Sequence, residues 1–122
     1  MRDIEFRGKR KDTNKWAWGY ITRSPMYRPA IEIFDLDNQH AWGTKFEVIP
    51  ETVGQYTGLK DKNGVKIFEG DIVKTNFYDT PAVVHYSNGA YITSGMYLTK
   101  TNDETMEVIG NVHDNNGLLR AN

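Results

Sequence analysis

The sequence predicts a mainly β fold, a small barrel or sandwich of short antiparallel strands. Three observations carry this. Turn signals recur at a spacing of about 8–12 residues. The apolar residues between them alternate with polar ones. No segment sustains the 3.6-residue apolar period of an amphipathic helix. The order of bend, strand, hairpin and strand over residues 58–112 is that of an SH3-like barrel. The barrel portion is therefore expected in the C-terminal half, with a few short helical turns.

The elements follow in order. Ile4-Glu5-Phe6-Arg7 alternates apolar and charged residues, the period of a half-buried strand. Residues 8–15 are polar and turn-rich around Asp12-Thr13-Asn14. Residues 16–21 form a second strand, with Trp16, Trp18 and Tyr20 on one face and Ala17 and Gly19 on the other. The pair reads as a β-hairpin with a long loop. Pro25 and Pro29 bracket an irregular segment, because proline cannot donate to a ladder. Residues 30–36 read as a strand with Ile31 and Ile33 on one side, ended by a turn at Asp37-Asn38-Gln39. Residues 42–49 are extended and stop at Pro50, which can open one helical turn.

Asn63-Gly64 is the clearest turn, since both residue types tolerate positive φ, and it is flanked by Leu59 and by Ile67-Phe68. Glu69-Gly70-Asp71 makes a second bend, and residues 72–77 leave it as a strand. Asp79-Thr80-Pro81 turns the chain into residues 82–86. Ser87-Asn88-Gly89 leads into residues 90–93, and residues 95–99 form one more strand. Asn102-Asp103 precedes a closing strand at 106–112, and Leu118-Leu119 form a tail suited to a helical turn. The total is roughly eight strands.

Length and composition bound the rest. The chain of 122 residues has the length of a single domain, taken as residues 1–122, and is long enough for one core. Charged residues at 25 % and apolar ones at 39 % are ordinary for a globular protein. Cysteine is absent, which excludes disulfides and thiolate metal sites and fits a reducing compartment. No apolar run approaches the ~20 residues that cross a bilayer. The first residues lack the apolar segment of a signal peptide, so a cytoplasmic protein without a membrane partner is expected.

The net charge of −1 hides an asymmetry: residues 1–30 carry eight Lys or Arg against three acids, leaving +5 there and −6 elsewhere. Such a basic end suits a solvated face, the acidic part of a neighbouring subunit, or phosphate. Arg7, Lys9, Arg10 and Lys15 are interleaved with Trp16 and Trp18, and Tyr20 and Trp42 follow. Such a mixture can stack the bases of single-stranded nucleic acid. The structural alternative, which the sequence favours, makes Trp16, Trp18 and Tyr20 core or subunit-interface residues.

No constellation of nucleophile, acid and base is visible, so no catalytic residue and no enzyme activity are expected, and no cofactor. Asp61, Glu69 and Asp71 could hold Mg²⁺ or Ca²⁺, but one tight hairpin accounts for the same residues, with Asp71 accepting from backbone N–H groups of its bend. His40, His85 and His113 are too dispersed for a zinc site, and no metal is expected. Ser24, Ser87 and Ser94 sit in no nucleophile elbow.

Three strings carry a family resemblance. Gln55-Tyr56-Thr57-Gly58-Leu59-Lys60-Asp61 with Glu69-Gly70-Asp71-Ile72-Val73 lies in the middle. Ile4-Glu5-Phe6-Arg7-Gly8-Lys9-Arg10 with Trp16 and Gly19-Tyr20 opens the chain, and Glu107-Val108-Ile109-Gly110-Asn111-Val112 with Leu118-Leu119 ends it. Together they resemble the YopX family of small phage and prophage proteins of low-GC Gram-positive bacteria. The resemblance implies a bacteriophage context, a bacterial host cytoplasm and self-assembly, and no established activity. Asp114-Asn115-Asn116-Gly117 departs from it, standing where family members often carry a proline-containing acidic turn. The sequence thus points to a non-enzymatic accessory protein that acts as a homo-oligomeric binding or structural module. The alternative is a nucleic-acid-binding protein using Arg7, Lys9, Arg10, Lys15, Trp16 and Trp18.

Overall fold

The computed structural model describes residues 5–23, 31–35, 44–75, 81–87, 90–93, 96–97 and 105–115. Among these residues the protein is mainly β: twelve strands, all paired antiparallel, and one 3-10 turn. The chain forms two compact units, Met1–Gln55 and Tyr56–Asn122.

The first unit holds β1 (Phe6–Lys9), β2 (Trp16–Arg23), β3 (Ile31–Asp35), β4 (Thr44–Glu47), the 3-10 turn (Pro50–Thr52) and the start of β5 (Gly54–Lys60). Its strands lie in the order β4-β3-β2-β1-β5. The expected β1–β2 hairpin is present, with Phe6 opposite Gly19 and Lys9 opposite Trp16. β1 runs past Arg7 because Gly8 and Lys9 continue the ladder against Ala17 and Trp16. Ile21 pairs with Ile33 and Ile33 with Phe46, so one face of the sheet becomes apolar. Ala17, Ile33 and Val48 are buried there, with Phe6, Ile21, Ile31, Phe46 and Val53 packed around them.

Gly8 sits in close contact with this core. A Cβ at that position would lie 3.1 Å from the Val48 Cβ and 3.2 Å from the Ile33 Cδ1. The turn at Pro50 forms as the sequence predicts, with proline in its first turn. Thr52 anchors it: its hydroxyl accepts the Lys9 N–H at 2.8 Å and donates to the Ile49 carbonyl at 2.6 Å.

The second unit holds the rest of β5, β6 (Lys66–Phe68), β7 (Asp71–Thr75), β8 (Ala82–Val83), β9 (His85–Ser87), β10 (Ala90–Thr93), β11 (Met96–Tyr97) and β12 (Met106–Asn111). β5 and β6 form the hairpin around Asn63-Gly64, with Tyr56 opposite Phe68 and Lys60 opposite Lys66. Tyr56 and Phe68 are buried with ring centroids 5.5 Å apart. Two three-stranded ladders accompany them, β12-β7-β8 and β11-β10-β9. Ile67, Val73, Val84 and Met106 form the core, with Leu59 and Val108 against it.

Two buried aspartates organise this unit. Asp61, 4 % exposed, accepts the Asn63 and Val65 N–H groups on Oδ1 at 2.8 and 2.9 Å, and the Val108 N–H on Oδ2 at 2.9 Å. The Lys62 N–H adds a bond to the Met106 carbonyl at 3.0 Å, so the hairpin tip is tied to β12. Asp71 Oδ2 accepts the Phe68 N–H at 2.7 Å, the bend contact its sequence position predicts. Between them Gly70 takes φ +92°, a conformation that a Cβ opposes.

Two expectations change. Among the described residues the ladders of the second unit are open and do not close into an SH3-like barrel; the sandwich-like alternative of open sheets stands instead. At Val84 the N–H donates to the Asp71 carbonyl and the carbonyl accepts the Gly70 N–H, both at 2.9 Å, which holds this residue to the β7 side. Those bonds split the predicted strand 82–86 into β8 on β7 and β9 in a ladder of its own. This split and the separate strands β5 and β6 add to the roughly eight strands expected, and the described residues hold twelve. The segments expected to turn at 24–29, 37–39, 79–80, 88–89 and 102–103, and the tail at 118–119, lie outside the described residues.

Asp61→Ala is expected to cost about 3 kcal/mol or more, because it strands three N–H groups that one carboxylate now satisfies. Gly70→Val should cost about 2 kcal/mol through the positive φ. Lys62→Ala should stay within about 0.5 kcal/mol, since Lys62 is 45 % exposed and only 3.9 Å from Glu107. Urea unfolding of the three variants checks the order, and equal midpoints would refute the assignment of Asp61 and Gly70 as anchors.

Candidate functional site

Cross-strand partners in an antiparallel sheet project to the same face, and residues two apart along a strand share it. With one face of the first unit's sheet turned to Ala17, Ile33 and Val48, the register assigns the other. Lys9 lies opposite Trp16, Arg7 opposite Trp18, Tyr20 opposite Phe34, and Phe34 opposite Lys45. The result is an aromatic stripe along β2 and onto β3, with cations beside it.

Exposure confirms this and corrects an expectation. Ala17 is 1 % exposed, whereas Trp18 and Tyr20 are 44 % and 52 % exposed. The core half of the core-or-interface reading of Trp16, Trp18 and Tyr20 therefore fails for Trp18 and Tyr20, and Ala17 takes the core position. Ala17 pairs with Gly8, where Val48 and Ile33 close in, and that site has space for a methyl group and not for an indole.

Of the six sequence candidates, four come together. The Arg7 guanidinium lies over the Trp16 ring at 4.7 Å, and the Lys9 ammonium lies 5.8 Å from the same centroid. Trp18 is next along the strand. Arg7 itself is buried, so its charge is held by the protein and Lys9 is the more accessible cation.

Arg10 and Lys15 are placed elsewhere. Arg10 forms an isolated bridge with Val48, stacks on Phe46 at 3.9 Å, and binds Asp12 through Nε and Nη2 at 2.9 and 2.7 Å. The side-chain hydrogen bond to Arg10 holds the Asp12 carboxyl below its ordinary range and raises Arg10. That contribution is present at neutral pH and fades as pH falls through the lowered value, and exposure keeps it small. Lys15 sits in the exposed hairpin loop, where its carbonyl accepts the Arg10 N–H at 2.8 Å. Trp42 lies outside the described residues.

Phe34 and Lys45 belong to the face and were not singled out from sequence. Their alternation with Ile33 and Phe46 was visible, but the register that sets them beside Tyr20 was not.

The carboxylate cluster takes the structural form. Asp61 and Asp71 accept backbone N–H groups, and no group of three His, Cys, Asp or Glu is gathered for a metal among the described residues. His85 and His113 are exposed, the His85 Nδ1 lying 3.4 Å from the Val83 carbonyl, while His40, Ser24 and Ser94 lie outside the described residues. Among the described residues no helix is long and apolar enough to cross a membrane.

Comparison with known proteins places this geometry. The family model described as YopX protein matches residues 5–120. The chain is also similar to a solved structure, "Crystal structure of protein EF1440 from Enterococcus faecalis". The two are 24 % identical with a TM-score of 0.63, over 98 % of this chain and 99 % of that one. No curated protein matches.

The two-faced assignment predicts opposite tolerances at adjacent positions. Trp18→Ser should change stability by less than about 1 kcal/mol. Ala17→Asp should cost at least ~3 kcal/mol, since it buries an uncompensated charge. Chemical denaturation of both variants decides it, and a larger loss for Trp18→Ser would reverse the faces.

Proposed function

The chain belongs to the YopX family, and we propose that it is a non-enzymatic phage or prophage accessory protein, a homo-oligomeric binding or structural module working in the cytoplasm of a bacterial host. One observation carries this reading: the first unit's sheet packs its core on one face and turns Trp18 and Tyr20 outward on the other. Large exposed aromatics on a rigid sheet suit recognition, because they offer wide contact area at low entropic cost. Self-assembly is supported by the charge asymmetry, +5 over residues 1–30 against −6 elsewhere, which allows head-to-tail contact between copies. Strands that end a ladder among the described residues, such as β8 and β12, offer a second means of contact. The absence of enzyme activity is supported by Asp61 and Asp71, whose carboxylates accept backbone N–H groups and hold the fold.

A second reading, nucleic-acid binding, has an observation of its own. Trp16 lies within cation–π distance of both Arg7 and Lys9, on the face that exposes Trp18.

Light scattering after size exclusion tests the assembly. A mass of several subunits at micromolar concentration is expected, falling as salt rises if opposite charges drive the contact. A constant mass of 14.0 kDa would overturn the homo-oligomeric reading.

A further inference from the structure

We propose that the outward face of Trp16, Trp18, Tyr20 and Phe34, with Lys9 and Lys45 at its ends, binds single-stranded nucleic acid by stacking its bases. This deepens the second reading above and rests on that face being a binding surface.

The spacing of the rings argues for a single strand. Residues two apart along a strand lie about 6.7 Å from each other. That is twice the ~3.4 Å rise between stacked bases of a duplex strand. Trp16, Trp18 and Tyr20 therefore match bases pulled out of their own stack and do not match a closed double helix. Phe34, opposite Tyr20 on β3, extends the row across the sheet. Such stacking is tolerant of sequence, because every base has a π-face.

Charge gives the row its direction. Lys9 flanks Trp16 at one end, and the exposed Lys45 faces Phe34 at the other. The acids that share the face by alternation are Glu5, Glu32 and Glu47. Glu47 is paired with the Lys11 ammonium at 2.7 Å, and Glu32 lies opposite Thr22 and Glu47, beyond Phe34. A phosphate backbone entering at Lys45 thus runs over Tyr20, beside which the register sets Glu5, and over Trp18 toward Lys9, away from Glu32.

A second copy of the chain suits this face less well. The cores of protein interfaces are depleted in lysine. A two-fold copy would also have to accommodate its own Lys9 and Lys45 against an identical set. Assembly through strand edges and opposite charges leaves the face open.

The test is fluorescence anisotropy of labelled oligo-thymidylate and oligo-uridylate with the full chain, against a duplex of equal length. Both single strands should bind more tightly than the duplex. Trp18→Ala and Tyr20→Ala should each weaken binding about 5- to 150-fold. Trp18→Phe, which keeps a ring, should retain most of the affinity and separates stacking from misfolding. Lys45→Gln should flatten the plot of log affinity against log salt by about 0.7. Glu32→Gln should tighten binding, and Lys62→Ala in the other unit should leave it unchanged. Three results would overturn the proposal: no anisotropy change at low salt, equal affinity for the duplex, or full binding by folded Trp18→Ala and Tyr20→Ala. Loss of oligomer mass in those two variants without loss of binding would assign the face to contacts between copies, and overturn it too. A wild type that binds the oligonucleotides as a monomer would refute the assembly and leave this inference standing.

Discussion

One buried carboxylate determines how the second unit is put together. Asp61 carries two backbone N–H groups of its own hairpin and a third from Val108, 47 residues later. A buried carboxylate is tolerated only when donors replace the water it gives up, and charge-assisted bonds to N–H groups are among the stronger ones. The hairpin tip is thereby held against β12. β12 pairs in turn with β7, and these strands carry Val73 and Met106 into the core beside Ile67. Asp71 repeats the arrangement on a smaller scale, closing the bend at Gly70 through the Phe68 N–H. The acids of this unit that most resemble catalytic or metal-binding groups therefore serve as backbone acceptors.

In the first unit the controlling constraint is steric. Gly8 lets Val48 and Ile33 approach the sheet so closely that its neighbour Ala17 fills the remaining space. The strict alternation of β2 then puts Trp16, Trp18 and Tyr20 on the opposite side. The aromatic face is thus a consequence of core packing: a tight, small-residue core on one side obliges the large rings to stand on the other. Arg7 and Lys9 follow because β1 obeys the same alternation in register with β2. The sheet that stabilises the unit also presents the aromatic face, whose residues sit on its strands.

Much of this was legible in the sequence where the signal is local. The hairpin around Asn63-Gly64, the turn at Pro50, the bend at Gly70 and the extended character of β2, β3 and β7 follow from turn chemistry and period-two patterning. The grouping of Arg7, Lys9, Trp16 and Trp18 was legible too, because they lie on two strands of one hairpin. Arg10 was misplaced because the bridge to Val48 and the stacking on Phe46 depend on β4, which no local pattern links to the hairpin. Phe34 and Lys45 were missed for the same reason.

What the sequence by itself determined is the class of the protein and its local geometry: a mainly β chain, its turns, the two faces of each strand and its YopX family membership. What only the tertiary structure decided is which face is which. Alternation defines two faces of β2 but does not say which is buried, and hydrophobicity alone favours the aromatic one. The space left by Gly8, Val48 and Ile33 reverses that preference. The third donor to Asp61 and the break at Val84 between β8 and β9 were likewise hidden. Each is a hydrogen bond between residues far apart in the chain, and such bonds leave no periodic trace in the sequence.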